Sequence, residues 1–199
     1  MSLGNPMGDF EVTDPQAMRA LAHPVRLAVL SHLQRHGPST ATRLAAHVDA
    51  SPSVTSWHLR HLSTFGLVAD SPDPEGGTDK RQRWWRAVAR GIRLEMPASP
   101  EGRAAARLLR MQMMAQALAH PQRWLAEVEP ELDEEWSRLA GSGSTGLRLT
   151  PAEARKLEEA IEVLLVPYVR RIDEAVPAEA REVRVVRFFL PEPPARPRA

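Results

Sequence analysis

Apolar residues recur at helical spacing in several stretches, and proline and glycine punctuate them. Asp14-Pro15 opens a first short helix over Pro15–Ala22, ended by His23-Pro24. Val25, Leu27, Ala28, Leu30 and Leu33 predict a second helix, stopped by Gly37-Pro38. Ser39-Thr40 caps a short third helix carrying Leu44, Ala45 and Val48. A turn at Asp49-Ala50 follows, and Ser51-Pro52 opens a fourth helix running to about Phe65, with Gly66 at its C-terminal cap. The pattern then becomes strand-like in Leu67–Ala69 and again in Arg83–Val88. These two runs flank a polar stretch from Ser71 to Lys80, which predicts a hairpin with a long tip.

The character changes after Gly91. Pro100–His120 predicts a long helix, interrupted by Pro121, with a second helical stretch to about Leu139. A Gly/Ser linker occupies 141–146, and Leu147–Leu149 reads as a short strand. Thr150 and Glu153 form a capping box that opens a helix to about Ile172. Val183–Leu190 is strand-like. The expected organisation is a disordered lead-in at 1–11, a first domain at 12–92, a helical and α/β dimerisation or sensing region at 93–190, and a Pro-rich tail at 191–199. The fold class is α+β, mostly α.

Three helices, a tight turn, a fourth helix and a hairpin follow the order of a winged helix-turn-helix. On a 3.6-residue period, Thr55, His58, Leu59 and Leu62 share one side of the fourth helix, and Ser53, Ser56, Trp57, Arg60 and Thr64 the other. The first side can pack on the preceding helices. The second offers hydroxyls, an indole and a guanidinium. Arg can pair bidentately with guanine in the major groove, and Ser can bond bases or phosphates. The expectation is therefore double-stranded DNA as partner, with a recognition helix at about 52–65 contacting it through Ser53, Ser56, Trp57 and Arg60. The wing, about 71–83, brings Lys80, Arg81 and Arg83 to the phosphate backbone. Asp70, Asp73, Glu75 and Asp79 weaken the positive field there.

Charge and composition sharpen this modestly. Net charge is +1, but residues 14–95 carry 11 Lys and Arg against 7 Asp and Glu, whereas 96–199 carry 15 against 16. With no cysteine there is no disulfide, thiolate metal site or cysteine nucleophile. No apolar run reaches the length of a membrane helix, and no secretory leader opens the chain, so the expected location is the cytoplasm. Gly-rich phosphate loops, nucleophile elbows and zinc-hydrolase helices are absent from the sequence, and no enzyme activity is expected. No cofactor or metal is expected either. His32 and His36 have i, i+4 spacing that could grip zinc, but no third ligand is evident. His58 and His61 lie three apart, yet His58 falls on the apolar side and reads as a packed, hydrogen-bonded histidine. Met111, Met114 and Trp124 are candidates to line an effector pocket, or else belong to a core or dimer seam. The acidic run from Glu129 to Glu135 reads as a solvated face.

Two runs together resemble a known family. Leu21-Ala22-His23-Pro24-Val25-Arg26-Leu27-Ala28-Val29-Leu30 is similar to the opening of ArsR-type winged-helix regulators. Ser51-Pro52-Ser53-Val54-Thr55-Ser56-Trp57-His58-Leu59-Arg60-His61-Leu62, with Phe65-Gly66-Leu67-Val68, resembles their recognition helix and its exit. The resemblance covers roughly residues 14–90. It implies a homodimeric repressor or activator that answers a signal. The cysteine-based metal sensing of the founding members does not carry over. Two other classes stay open: a winged-helix protein-interaction module, and a small-molecule sensor centred on residues 100–190.

Overall fold

The computed structural model describes residues 5, 7–74, 76, 82–170 and 177–193. The caps fall at the punctuation. Asp14 accepts from the Gln16 N–H at 2.8 Å and opens helix α1 (Pro15–Leu21). Helix α2 (Pro24–His36) stops at Gly37, whose φ of +80° strains any residue with a Cβ. Thr40 Oγ1 accepts from the Arg43 N–H at 3.3 Å and opens helix α3 (Ala41–Ala45). Ser51 Oγ accepts from the Val54 N–H at 3.4 Å and opens helix α4 (Pro52–Ser63).

Two small sheets frame these helices. Strand β1 (Phe10–Val12) pairs in parallel with β5 (Ile92–Leu94), Phe10 opposite Ile92. Residues 10 and 11, expected in a disordered lead-in, are therefore ordered. Val12 sinks into the core, and β5 satisfies the backbone groups that burial would orphan. Strands β2 (Ser39–Thr40), β3 (Val68–Ser71) and β4 (Trp84–Ala87) form an antiparallel sheet in the order β2-β4-β3. The β3–β4 hairpin lies where the sequence places it, with Asp70 opposite Trp85. Strand β2 has two residues, too few for a period to register.

The core joins Met18 and Leu21 of α1, Leu27, Leu30 and Leu33 of α2, Leu44 of α3, Leu59 and Leu62 of α4, and Trp85 of β4. Helix α5 (Pro100–Glu127) adds Ala105, Ala106 and Leu109 to that same core. Proline does not break α5 at residue 121 as expected. Pro121 stands on an exposed face, where losing one backbone hydrogen bond leaves the helix running to Glu127.

A short 3₁₀ turn (Glu129–Glu131) leads to α6 (Glu134–Leu139), capped by Asp133 accepting from the Trp136 N–H at 2.9 Å. Helix α7 (Pro151–Arg170) starts on the expected capping box: the Glu153 N–H donates to Thr150 Oγ1 at 3.3 Å, and the Thr150 N–H to Glu153 Oε2 at 2.8 Å. Arg93 on β5 grips both carboxylate oxygens of Glu162 on α7, at 2.8 and 2.6 Å, with both side chains 17% exposed. Arg90 Nη1 donates to the Val169 carbonyl at 2.5 Å.

The strands expected at 147–149 and 183–190 are not formed; both segments are irregular and exposed. Apolar β-formers specify a face to bury, but a strand also needs an edge to pair with, and among the described residues no strand pairs with either segment. No described helix is long and apolar enough to cross a membrane. The fold is α+β and mostly helical: a winged helix-turn-helix whose wing is the β3–β4 hairpin, followed by helices.

Candidate nucleic-acid interface

The two sides of α4 separate as its period predicts. Thr55, His58, Leu59 and Leu62 are buried, while Ser53, Trp57, Arg60 and Thr64 are exposed and Ser56 half-buried. The inner side is pinned by apolar packing and by Thr55 Oγ1 donating to the Ser51 carbonyl at 2.9 Å. On the outer side, Arg60 Nη2 donates to Ser56 Oγ at 3.0 Å, which aims the guanidinium along the helix face. The Trp57 indole stacks on the His61 ring, 5.5 Å between centroids and 6° from parallel. Helix α4 contains no Asp or Glu, so nothing on it opposes the approach of a polyanion.

His58 is packed as expected, but the expected hydrogen bond is not made at its Nδ1. Its ring lies 4.7 Å from that of His23, and Nδ1 of each lacks a partner. Burial, then His23, Arg26 and His61, holds the His58 imidazole below its ordinary range, and burial followed by Arg26 does the same at His23. Both rings are neutral near pH 7, and two neutral rings can share a tight contact under the recognition helix. A second group joins α2 to the α3–α4 turn: His32 lies 4.6 Å from His36 and 4.5 Å from His47. Burial and the neighbouring His36, His47 and Arg35 push His32 down to about 4. No group of three or more His, Asp or Glu among the described residues is placed to hold a metal ion.

The wing distributes its candidates differently. Arg83 is engaged by Asp70 across the hairpin: Nη2 donates to Oδ2 at 2.9 Å, and the guanidinium lies 4.2 Å over the Trp85 ring. The pair braces the base of the wing, and hydrogen bonding to Arg83 lowers the Asp70 carboxyl. Lys80 and Arg81 lie outside the described residues. Arg43, on α3, rests 4.7 Å over the Trp84 ring. The effector candidates Met111 and Met114 stand on the outer face of α5, 61% and 38% exposed, and Trp124 is half-buried. Sequence reasoning missed Val54, 45% exposed in the first turn of α4. Its spacing to Trp57 and His61, three and seven residues, was the available signal.

Residues 21–70 match a helix-turn-helix domain family model. The matched span runs from the end of α1 into β3 and contains the whole of α4. No curated protein matches the chain. Among solved structures, the chain is similar to a "possible transcriptional regulator for arsenical resistance" at 26% identity, covering 63% of this chain and 97% of that one, with a TM-score of 0.30. It is also similar to the YusO protein from Bacillus subtilis (19% identity, 62% and 73% covered, TM-score 0.32). MarR from E. coli in its apo form is another (16% identity, 75% and 88% covered, TM-score 0.30). None of these superpositions is close, and the helix-turn-helix assignment rests on residues 21–70 and on the geometry of α4 and the wing.

Proposed function

We propose that this protein is a sequence-specific DNA-binding transcriptional repressor of the ArsR type, acting in the cytoplasm as a homodimer. The observation that carries the reading is the outer face of α4: Ser53, Ser56, Trp57 and Arg60 stand free of the core on a rigid helix without acidic residues. That face fits a major groove, with Arg60 reading a guanine edge and the serines bonding bases or phosphates. Lys80 and Arg81 on the wing would contact the flanking backbone, with Arg83 bracing the wing from its base.

The homodimer finds support on α5. Leu108, Met111, Ala115, Leu118, Gln122 and Leu125 alternate at three- and four-residue spacing along the side opposite the buried Ala105, Ala106 and Leu109, and all six are exposed. This is the repeat of a two-helix seam with one polar position. A second copy seated there would carry its own α4, and two reading helices about 34 Å apart reach successive major grooves. Residues 93–190 would then set that spacing, and an effector bound there would alter it.

The test is selection of duplexes from a random pool by the purified protein, followed by binding curves at several salt concentrations. A preferred sequence and a falling log affinity against log salt are expected. Arg60→Ala should cost about 1–3 kcal/mol and relax preference at one base pair per half-site. Wild-type protein that selects no sequence overturns the reading.

A further inference from the structure

The outer side of α4 carries two rows of different chemistry. Ser53, Ser56 and Arg60, at i, i+3 and i+7, form a hydrogen-bonding row internally linked by the Arg60–Ser56 contact. Val54, Trp57 and His61 repeat the same spacing beside it and form an apolar row. A helix of 12 residues whose inner side is fully packed has no structural need for two large apolar groups in solvent, yet Val54 is 45% and Trp57 56% exposed. His61 stacks flush on one face of the indole and props it in place, so the ring is held at little further conformational cost.

We infer that Val54 and Trp57 form a reader of pyrimidine 5-methyl groups in the major groove, set beside the polar row that reads base hydrogen-bonding edges. The inference rests on the DNA-binding reading above and names what the second row of that surface recognises. Among base edges in the major groove, the apolar feature is the thymine 5-methyl, and 5-methylcytosine presents the same group. The occupant must lie where Arg60 and the serines also find partners, because the two rows share one helix face. The absence of carboxylates on α4 suits a polyanion better than a protein surface in general. Burial followed by Arg26 holds His61 below its ordinary range, so the ring behind the indole is neutral and adds no charge of its own to the apolar row.

The experiment uses the full chain and the duplex it selects. Each thymine of that duplex is replaced in turn by uracil, which removes the methyl group and nothing else. At one or two positions per half-site, wild-type affinity should drop about fourfold, the worth of one methyl group withdrawn from water. Trp57→Ala should bind the thymine and uracil duplexes equally, Val54→Ala should narrow the difference, and the melting temperature of both variants should stay at the wild-type value because both side chains are exposed. Cytosine at a sensitive position also exchanges the O4 acceptor for an amino donor and should bind at least as weakly as uracil, and 5-methylcytosine should bind more tightly than cytosine there. Uniform affinity of wild type for every uracil duplex, with Arg60→Ala still weakening binding, overturns the methyl reader and leaves DNA binding standing. A Trp57→Ala protein that still prefers thymine over uracil by the wild-type factor also overturns it. So does a change in self-association of Trp57→Ala without DNA, which would give the row to a second copy of the chain. A wild type that selects no duplex removes both readings together.

Discussion

The chain up to Leu109 and the chain after it are built on different terms. Every fully buried residue among those described lies at or before Leu109. There α1 to α4, both sheets and the first turns of α5 share one core. Beyond it, α5 continues with Leu118 and Leu125 in solvent, and α7 exposes Val163, Leu164 and Tyr168. The first region is stabilised by its own burial, which is worth about 25 cal/mol per Å² of apolar surface removed from water. The second is held to the first by the partly buried Met113 and by polar links that include Arg93–Glu162, the least exposed ion pair among the described residues. A helix with apolar groups on both of its sides is a helix awaiting a neighbour. The contrast fits the proposed function, with recognition in the self-sufficient part and assembly in the dependent part.

That contrast can be broken in order of expected size. Leu59→Ala, in the middle of the shared core, should cost about 2–5 kcal/mol in denaturant titration; a cost under 1 kcal/mol would mean α4 is not packed as described. Leu118→Glu should leave far-ultraviolet circular dichroism intact but raise the dissociation constant of the proposed dimer at least about tenfold by sedimentation equilibrium. Unchanged association would detach α5 from the dimer. Glu162→Gln removes one partner of a half-buried ion pair and should loosen α7 by about 1–3 kcal/mol. Hydrogen exchange should show faster amides in α7 with the amides of α2 and α4 unaffected, and equal acceleration in both would show one cooperative unit instead of two unlike ones. The pH response is spread over several groups. His32, His23 and His58 bind protons less readily folded than unfolded, so stability rises with pH in this window and is lost as pH falls below about 6.5. Melting temperatures measured from pH 7 down to about 4 should decline monotonically, and a flat profile would mean these imidazoles are as solvated in the native state as in the unfolded one.

The first region was legible because its signals are local. Asp14, Thr40 and Ser51 announce helix starts by chemistry that operates within three residues, and the face of α4 follows from a period that packing then enforces. The β3–β4 hairpin follows from its flanking runs and polar tip. What stayed hidden depends on distant partners. Nothing in Phe10–Val12 announces that Ile92–Leu94 will lie alongside, and nothing in Arg83 distinguishes a phosphate contact from the Asp70 brace thirteen residues away. The β-forming residues of 183–190 called for a strand, but a strand is a property of two segments, and among the described residues no second one pairs with it. Val54 escaped notice because an exposed valine looks like any other surface residue until its neighbours on the same face are known.

The parallel pairing of β1 with β5 has a practical side. It clasps the beginning of the reading head to a point more than eighty residues downstream, and α5 then threads back into the same interior. An excised reading head would have to start before Phe10 and extend past Leu109 to keep its interior closed. A shorter piece cut at the matched boundaries, residues 21 to 70, would leave both the clasp and the lid behind and should melt as a loosened fragment.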